Sequence, residues 1–322
     1  MTIFKLPVFD ELEGYERDPF RSFYNCGIYQ EPYDYPLVDF PGLLDIEVNN
    51  HCNFDCLFCY RNKMIRKENF MDTALFRKII DESRSNNLTG IRICGWGEPF
   101  MHRNIYDMIQ YASSNTLLVH ITTNGSFLIN DDNRKRLLDS GCNKVKFSFQ
   151  GADENGYGVM RNNSLYQNIV KAVLSLINER DRAGSNLFVQ VGTSFTDETM
   201  DERASFFDFW VDKADHVYGD NTHLEHVKDM ERIKNLTMKS EPVYRQNKFS
   251  RCGRPQSMMF ISSSGQASFC CSDYNMENII GDVNQTDLKS IWHGQDINII
   301  REMLKEGKKK LIPICANCYT QR

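Results

Sequence analysis

Three cysteines, Cys52, Cys56 and Cys59, stand together in the stretch EVNNHCNFDCLFCYRN, just after the alternating run Leu43–Asn50. A cubane [4Fe-4S] cluster normally takes one thiolate per iron, so a tight trio with no fourth cysteine nearby leaves the last iron for an exchangeable ligand. That arrangement implies chemistry as well as structure. Zinc is the competing reading of clustered cysteines. Zinc sites use two cysteine pairs or a histidine partner. Here His51 neighbours Cys52 on an extended strand end and points the wrong way, and no close second CxxC completes a tetrahedral set.

The elements that must position this trio are legible in the hydrophobic pattern. At 322 residues, 41% hydrophobic and 25% charged, the chain can bury one large core, or a large and a small one. The net charge of −5 is spread over mixed signs with no polybasic stripe, which argues against a nucleic-acid surface. The start, MTIFKLPVFDELEGYERD, lacks a targeting pattern, and no apolar run spans a bilayer. A cytoplasmic location is expected, where the eleven cysteines read as cluster ligands better than as disulfides.

Residues 1–42 hold five of the nine prolines, with no helical or strand period, and read as an ordered, irregular arm over the main domain. Its Cys26 reads as a packed thiol. From Leu43 strand and helix alternate. Strands are expected at 43–50, 91–95, 117–122, 144–149, 187–193 and 216–219, with helices at 73–87, 104–112, 132–140, 165–178 and 201–213. Six such units predict an α/β fold, a partial (β/α)6 parallel barrel over 43–220. Ligands then bind at the carboxyl ends of the strands, where the cysteine trio stands.

The spacing C-x3-C-x2-C followed by Tyr60 resembles the signature of the radical S-adenosylmethionine (radical SAM) superfamily. In that family the amino and carboxylate groups of SAM chelate the open iron. After the second strand CGWGEPF, with Gly95, Trp96, Gly97 and Glu98, resembles the family's GGEP motif; Trp96 replaces the first glycine and leaves the main-chain carbonyls available. After the third strand TTNGSF offers Thr123 and Asn124 for ribose or carboxylate, although Asn-Gly is also a common turn. The resemblance further implies that Ser148, ending the fourth strand, and Arg161 after it contact the SAM carboxylate, for which a guanidinium fork is suited.

Cys252, Cys270, Cys315 and Cys318, in RCGRPQ, SSSGQASFCCSDY and ICANCY, resemble the SPASM/twitch auxiliary-cluster domain, here 251–322 behind a charged bridging segment, 221–250. The region has five cysteines, which suits one auxiliary [4Fe-4S] cluster, the twitch form. Zinc remains an alternative for these four thiols. Cys271 reads as an alternative ligand, a hydrogen donor or a packed thiol; Cys94 and Cys142 read as packed thiols.

The resemblance implies that the reduced cluster cleaves SAM to methionine and a 5′-deoxyadenosyl radical, which takes a hydrogen atom from substrate. A fully ligated auxiliary cluster favours net two-electron oxidation. The spacing C-x17-C-x44-C-x2-C is similar to that of aminocyclitol dehydrogenases of the family. This implies oxidation of a secondary alcohol on a sugar- or cyclitol-like small molecule, with a flavodoxin- or ferredoxin-type electron donor. The required base is not assignable; Tyr157, His120 and Lys144 read as structural or solvated. The alternatives are a maturase for a ribosomally made peptide, for whose leader-binding domain the arm is expected to be too short, and a non-catalytic iron–sulfur electron carrier.

Overall fold

The computed structural model describes residues 15–24, 37–196, 202–222 and 252–316. Six parallel strands form one curved sheet: β1 (Leu43–Ile46), β2 (Gly90–Ile93), β3 (Leu118–Thr123), β4 (Lys144–Ser148), β5 (Phe188–Phe195) and β6 (His216–Asn221). Helices α2 (Thr73–Ser85), α3 (Ile105–Ser114), α4 (Asp131–Asp139), α6 (Tyr166–Ala183) and α7 (Arg203–Trp210) connect them. This is the expected α/β architecture. Between β4 and α6 lies a further helix, α5 (Glu154–Arg161), absent from the sequence-based reading. Its first turn is capped by Asp153, which accepts from the Gly156 N–H at 2.8 Å, and Asn162 in the left-handed conformation ends it.

Alternation along the strands divides the sheet into two faces. Leu44, Ile46, Ile91, Ile93, Val119, Ile121, Val145, Phe147, Val189 and Val191 are fully buried under the helices. The intervening positions face the barrel lumen and are polar: Asp45, Arg92, His120, Lys144, Lys146, Gln190 and His216. They contact one another from strand to strand. Arg92 makes a bidentate pair with Asp45 at 2.6 and 2.7 Å, and Gln190 meets His216 at 2.6 Å.

The described part of residues 1–42 reaches into the barrel floor. Asp18 ion-pairs with Lys144, both fully buried, while Phe20 packs with Phe23 and Leu43 and stands 5.3 Å from the His120 ring. Residues 18–23, ending in the short helix α1 (Arg21–Tyr24), therefore plug the amino-terminal end of the barrel. Burying a charge requires a paired partner, which explains Lys144 on an otherwise inaccessible strand start.

The C-terminal region joins the same sheet. After α8 (Arg254–Ser257), strand β7 (Met258–Ile261) pairs in parallel with β1, and β8 (Gln266–Ser268) and β9 (Ile279–Asp282) continue antiparallel. The order is β6-β5-β4-β3-β2-β1-β7-β8-β9. The sheet thus runs past the six expected strands, with α9 (Leu288–Trp292), α10 (Gln295–Lys305) and α11 (Pro313–Ala316) following. The segment 223–250, Cys26 and Cys318 lie outside the described residues.

Candidate functional site

The loop after β1 carries the cysteine trio and is locked to the turn after β2. The Glu98 N–H donates to the His51 carbonyl at 2.7 Å, and Asn49 Nδ2 donates to the Glu98 carbonyl at 3.0 Å. A Cβ on Gly97 would lie 2.3 Å from the Asn49 carbonyl oxygen, and one on Gly95, at φ 150°, would lie 2.8 Å from the Glu47 side chain. These two glycines are required by close backbone approach.

The Glu98 side chain ties this turn to the end of β3. It accepts from Thr123 Oγ1 and the Asn124 N–H, both at 2.7 Å, and from the Phe100 N–H at 3.3 Å. Burial pushes its carboxyl up to about 7 against those three donors. The folded protein then favours the protonated form, so this contribution to stability is present below pH 4.5 and is lost as pH rises through 7. In cluster-free protein, up to about 3 kcal/mol should be lost over that interval, and Glu98→Gln should lack this component. Identical stability-versus-pH slopes from urea melts would refute the assignment.

Among the expected cluster ligands Cys56 is buried, and Cys52 and Cys59 are half-buried. Burial pushes the Cys59 thiol up to about 11, with the nearby Cys56 and Cys52 sulfurs adding to it; burial also raises Cys52. Such thiols ionise when a metal's charge replaces the proton. Asn124 Nδ2 lies 3.9 Å from Cys52 Sγ, and Arg161 Nη1 3.7 Å from Cys56 Sγ. Arg161, ending α5, is buried rather than solvated; its Nη2 donates to the Phe149 carbonyl at 2.9 Å, and its Nε finds no partner among the described residues. A thiol-only donor set beside an unsatisfied guanidinium N–H suits an iron–sulfur cluster with an anionic ligand next to it. His51 stacks on Phe70 at 4.3 Å and faces Glu68, away from a ligand role. Among the described residues no three His, Cys, Asp or Glu side chains gather around a single metal ion.

Tyr60 and Trp96 meet edge-on at 5.3 Å, and both reach Tyr274 of the C-terminal region, at 5.1 and 5.8 Å. Ser148 is half-buried on the lumen face at the end of β4. Residues missed by sequence reasoning tie these parts together. Glu47, 0% exposed at its side chain, takes both Arg66 guanidinium nitrogens at 2.8 and 2.9 Å, and accepts from Ser263 and from the Trp96 N–H. The only sequence signal for Glu47 was a second carboxylate, after Asp45, in the run LLDIEVNN.

Comparison with known proteins decides the family: the model of the Radical SAM superfamily matches residues 46–209, half of the chain. The chain belongs to the radical SAM superfamily. Its C-terminal residues 252–319 match SPASM, an iron–sulfur cluster-binding domain. The radical SAM domain implies a [4Fe-4S] cluster and SAM, and the SPASM domain an auxiliary iron–sulfur cluster. Over 86% of this chain and 92% of the relative, it is 22% identical to the S-adenosyl-L-methionine-dependent 2-deoxy-scyllo-inosamine dehydrogenase of Niallia circulans. Over 43% of this chain and 37% of the relative, it is 28% identical to the mycofactocin maturase MftC of Mycobacterium ulcerans. In fold it resembles BtrN in complex with AdoMet and 2-DOIA, with TM-score 0.56 and 18% identity over 87% of this chain and 93% of BtrN. It also resembles SuiB of Streptococcus suis bound to S-adenosylmethionine, with TM-score 0.66 and 16% identity over 88% and 72%.

In the SPASM region of this radical SAM protein, Cys252, Cys270 and Cys315 are half-buried, and the Ser272 N–H approaches Cys270 Sγ at 3.4 Å. Cys271 is hydrogen-bonded to Cys270, Arg254 Nη1 lies 2.6 Å from its sulfur, and Asp45 and Arg92 are close enough to perturb it. Its thiol is pulled down by the Cys270 hydrogen bond and by Arg254. Cys94, half-buried, lies near the same Asp45–Arg92 pair, and the Cys142 thiol donates to the Lys144 carbonyl. Among the described residues no helix is long and apolar enough to cross a membrane.

Proposed function

We propose that this radical SAM protein oxidises a secondary alcohol on a sugar- or cyclitol-like small molecule to the ketone. The observation carrying this reading is that β7 joins the barrel sheet beside β1, so that Tyr274 and Cys271 stand against Trp96 and Arg92. Cys270, an expected ligand of the electron acceptor and hydrogen-bonded to Cys271, thereby lies near the lumen. The near full-length likeness to an aminocyclitol dehydrogenase supports it.

Cys52, Cys56 and Cys59 would hold the SAM-binding cluster; Cys252, Cys270, Cys315 and Cys318 would hold one auxiliary [4Fe-4S] cluster. When bound, these groups and SAM supply a 5′-deoxyadenosyl radical for the carbinol hydrogen and an acceptor for the second electron. The chain does the rest. Gly95, Trp96 and Gly97 would present main-chain carbonyls to the SAM amino group while Glu98 supports the turn, Thr123 and Asn124 would face its ribose or carboxylate, and Ser148 and Arg161 its carboxylate. Tyr60, wedged against Trp96 and Tyr274, walls that site. The alcohol proton must leave to a base in the lumen. Tyr157 is fully buried, Lys144 is paired with Asp18, and His120 lies under Phe20, so none of them is assigned as that base. A flavodoxin- or ferredoxin-type protein would supply the initiating electron.

Anaerobically reconstituted protein, given SAM, reductant and secondary alcohols that are neutral, cationic or anionic, should form ketone in step with 5′-deoxyadenosine. Deoxyadenosine without ketone from every alcohol would overturn the reading. The second reading, modification of a peptide, is supported by the likeness to a mycofactocin maturase and to SuiB, whose structure is also known bound to precursor peptide SuiA; deoxyadenosine formed only with a peptide would favour it.

A further inference from the structure

The lumen face of β4 carries Lys144, Lys146 and Ser148 at alternate positions, stepping from the plugged floor to the open strand ends. Among the described residues, two of the three nearby lumen cations, Lys144, Arg92 and Lys146, are paired with a carboxylate. Asp18 neutralises Lys144, and Asp45 neutralises Arg92 through two hydrogen bonds. Lys146, half-buried between Thr122 on β3 and Gln190 on β5, has no carboxylate partner among the described side chains. Its Nζ stands 4.7 Å from the centre of the Tyr218 ring.

The backbone is shaped for that contact. At Gly192 a Cβ would lie 2.0 Å from Tyr218 Cε1, so the ring can cross β5 toward β4 only because residue 192 has no side chain. The Tyr218 ring also stacks on His216 at 6.3 Å. The neighbouring histidines add no counter-charge. Burial first, then Lys144 and Lys146, hold His216 down to about 4, and burial with Lys144, Arg92 and Lys146 keeps His120 well below its ordinary value. Both rings are neutral at pH 7, and among the described side chains the Lys146 ammonium meets the Tyr218 ring but no carboxylate. A desolvated charge is costly without a partner, whereas a ligand anion arriving there gains a charge-assisted hydrogen bond.

We propose that Lys146 and Tyr218 form an anion subsite in the lumen, so that the substrate carries a carboxylate or phosphate group held by Lys146 below the SAM-binding strand ends. This rests on the small-molecule reading above and narrows it. A cationic aminocyclitol would meet repulsion at Lys146; an acidic sugar or a cyclitol phosphate would be oriented by it. A carbinol a few bonds from the anionic group would then face the carboxyl ends of the strands.

The test is equilibrium binding to cluster-loaded, SAM-bound protein with four probes: glucuronate, myo-inositol 1-phosphate, myo-inositol and 2-deoxy-scyllo-inosamine. At least one anionic probe should bind at least tenfold tighter than the neutral and cationic ones. Lys146→Met should erase that preference with SAM affinity unchanged, and Lys146→Arg should keep it. The stronger of glucuronate and myo-inositol 1-phosphate distinguishes a carboxylate from a phosphate. Equal binding of all four probes, or an anion preference surviving in Lys146→Met, overturns the subsite. So does a parallel loss of SAM affinity, which would make the SAM carboxylate the anion concerned. Ketone from myo-inositol with no anion preference would sink the subsite alone. A Lys146-dependent anion preference with no ketone from any probe would support the subsite and sink the alcohol-oxidation reading.

Discussion

The triple variant Cys52→Ala, Cys56→Ala, Cys59→Ala is expected to hold half the iron and sulfide of the parent and to form no detectable 5′-deoxyadenosine. Each thiol anchors a different iron, so removing all three leaves nothing to hold a cluster at the barrel mouth. The three side chains are small and two are half-exposed, so the fold should survive, which circular dichroism would verify. Mössbauer spectra of reconstituted parent and variant count the clusters directly. The complementary pair Cys270→Ala, Cys315→Ala should keep SAM cleavage and lose ketone formation. If the parent holds one cluster and the triple variant none, the C-terminal cysteines supply no electron acceptor, and a redox-neutral rearrangement replaces the dehydrogenase.

Arg66→Met is expected to destabilise the protein by about 3–5 kcal/mol, the cost of leaving one member of a buried ion pair uncompensated. Glu47 has no solvent to fall back on; its carboxylate would retain only the Ser263 and Trp96 donors. The loss should extend beyond stability. Arg66 also donates to the Tyr274 carbonyl, and the Ile65 N–H to Asn275 Oδ1 at 2.9 Å, so the loop following the cysteine trio is held to the C-terminal region through this residue. SAM affinity should therefore fall together with the urea midpoint. Adding Glu47→Gln should recover most of the loss, because exchanging both partners removes the stranded charge. A single variant within 1 kcal/mol of the parent, or a double variant no better than the single, would refute this account.

Two of the lumen charges teach the same point. Lys144 and Lys146 are identical residue types two positions apart, and the pattern of β4 places both on one face. Nothing in the local sequence says that Asp18, 126 positions away, reaches Lys144 while no carboxylate among the described residues reaches Lys146. Arg161 is a similar case: solvated surface and ligand contact were equally compatible with VMRNN. The capped helix α5 settles its burial beside Cys56.

What the sequence determined by itself was the periodic and local part: alternating strands and helices, the cysteine spacing, the glycine turn and the family they belong to. Those signals arise from side-chain periodicity and backbone sterics within a few residues. Only the tertiary structure decided that the arm plugs the barrel floor, that β7 extends the sheet beside β1, that Tyr274 closes on Trp96, and which lumen charges are neutralised. Each depends on contacts between residues far apart in the chain, whose energies arise from burial and charge pairing after folding and leave no periodic mark in the sequence.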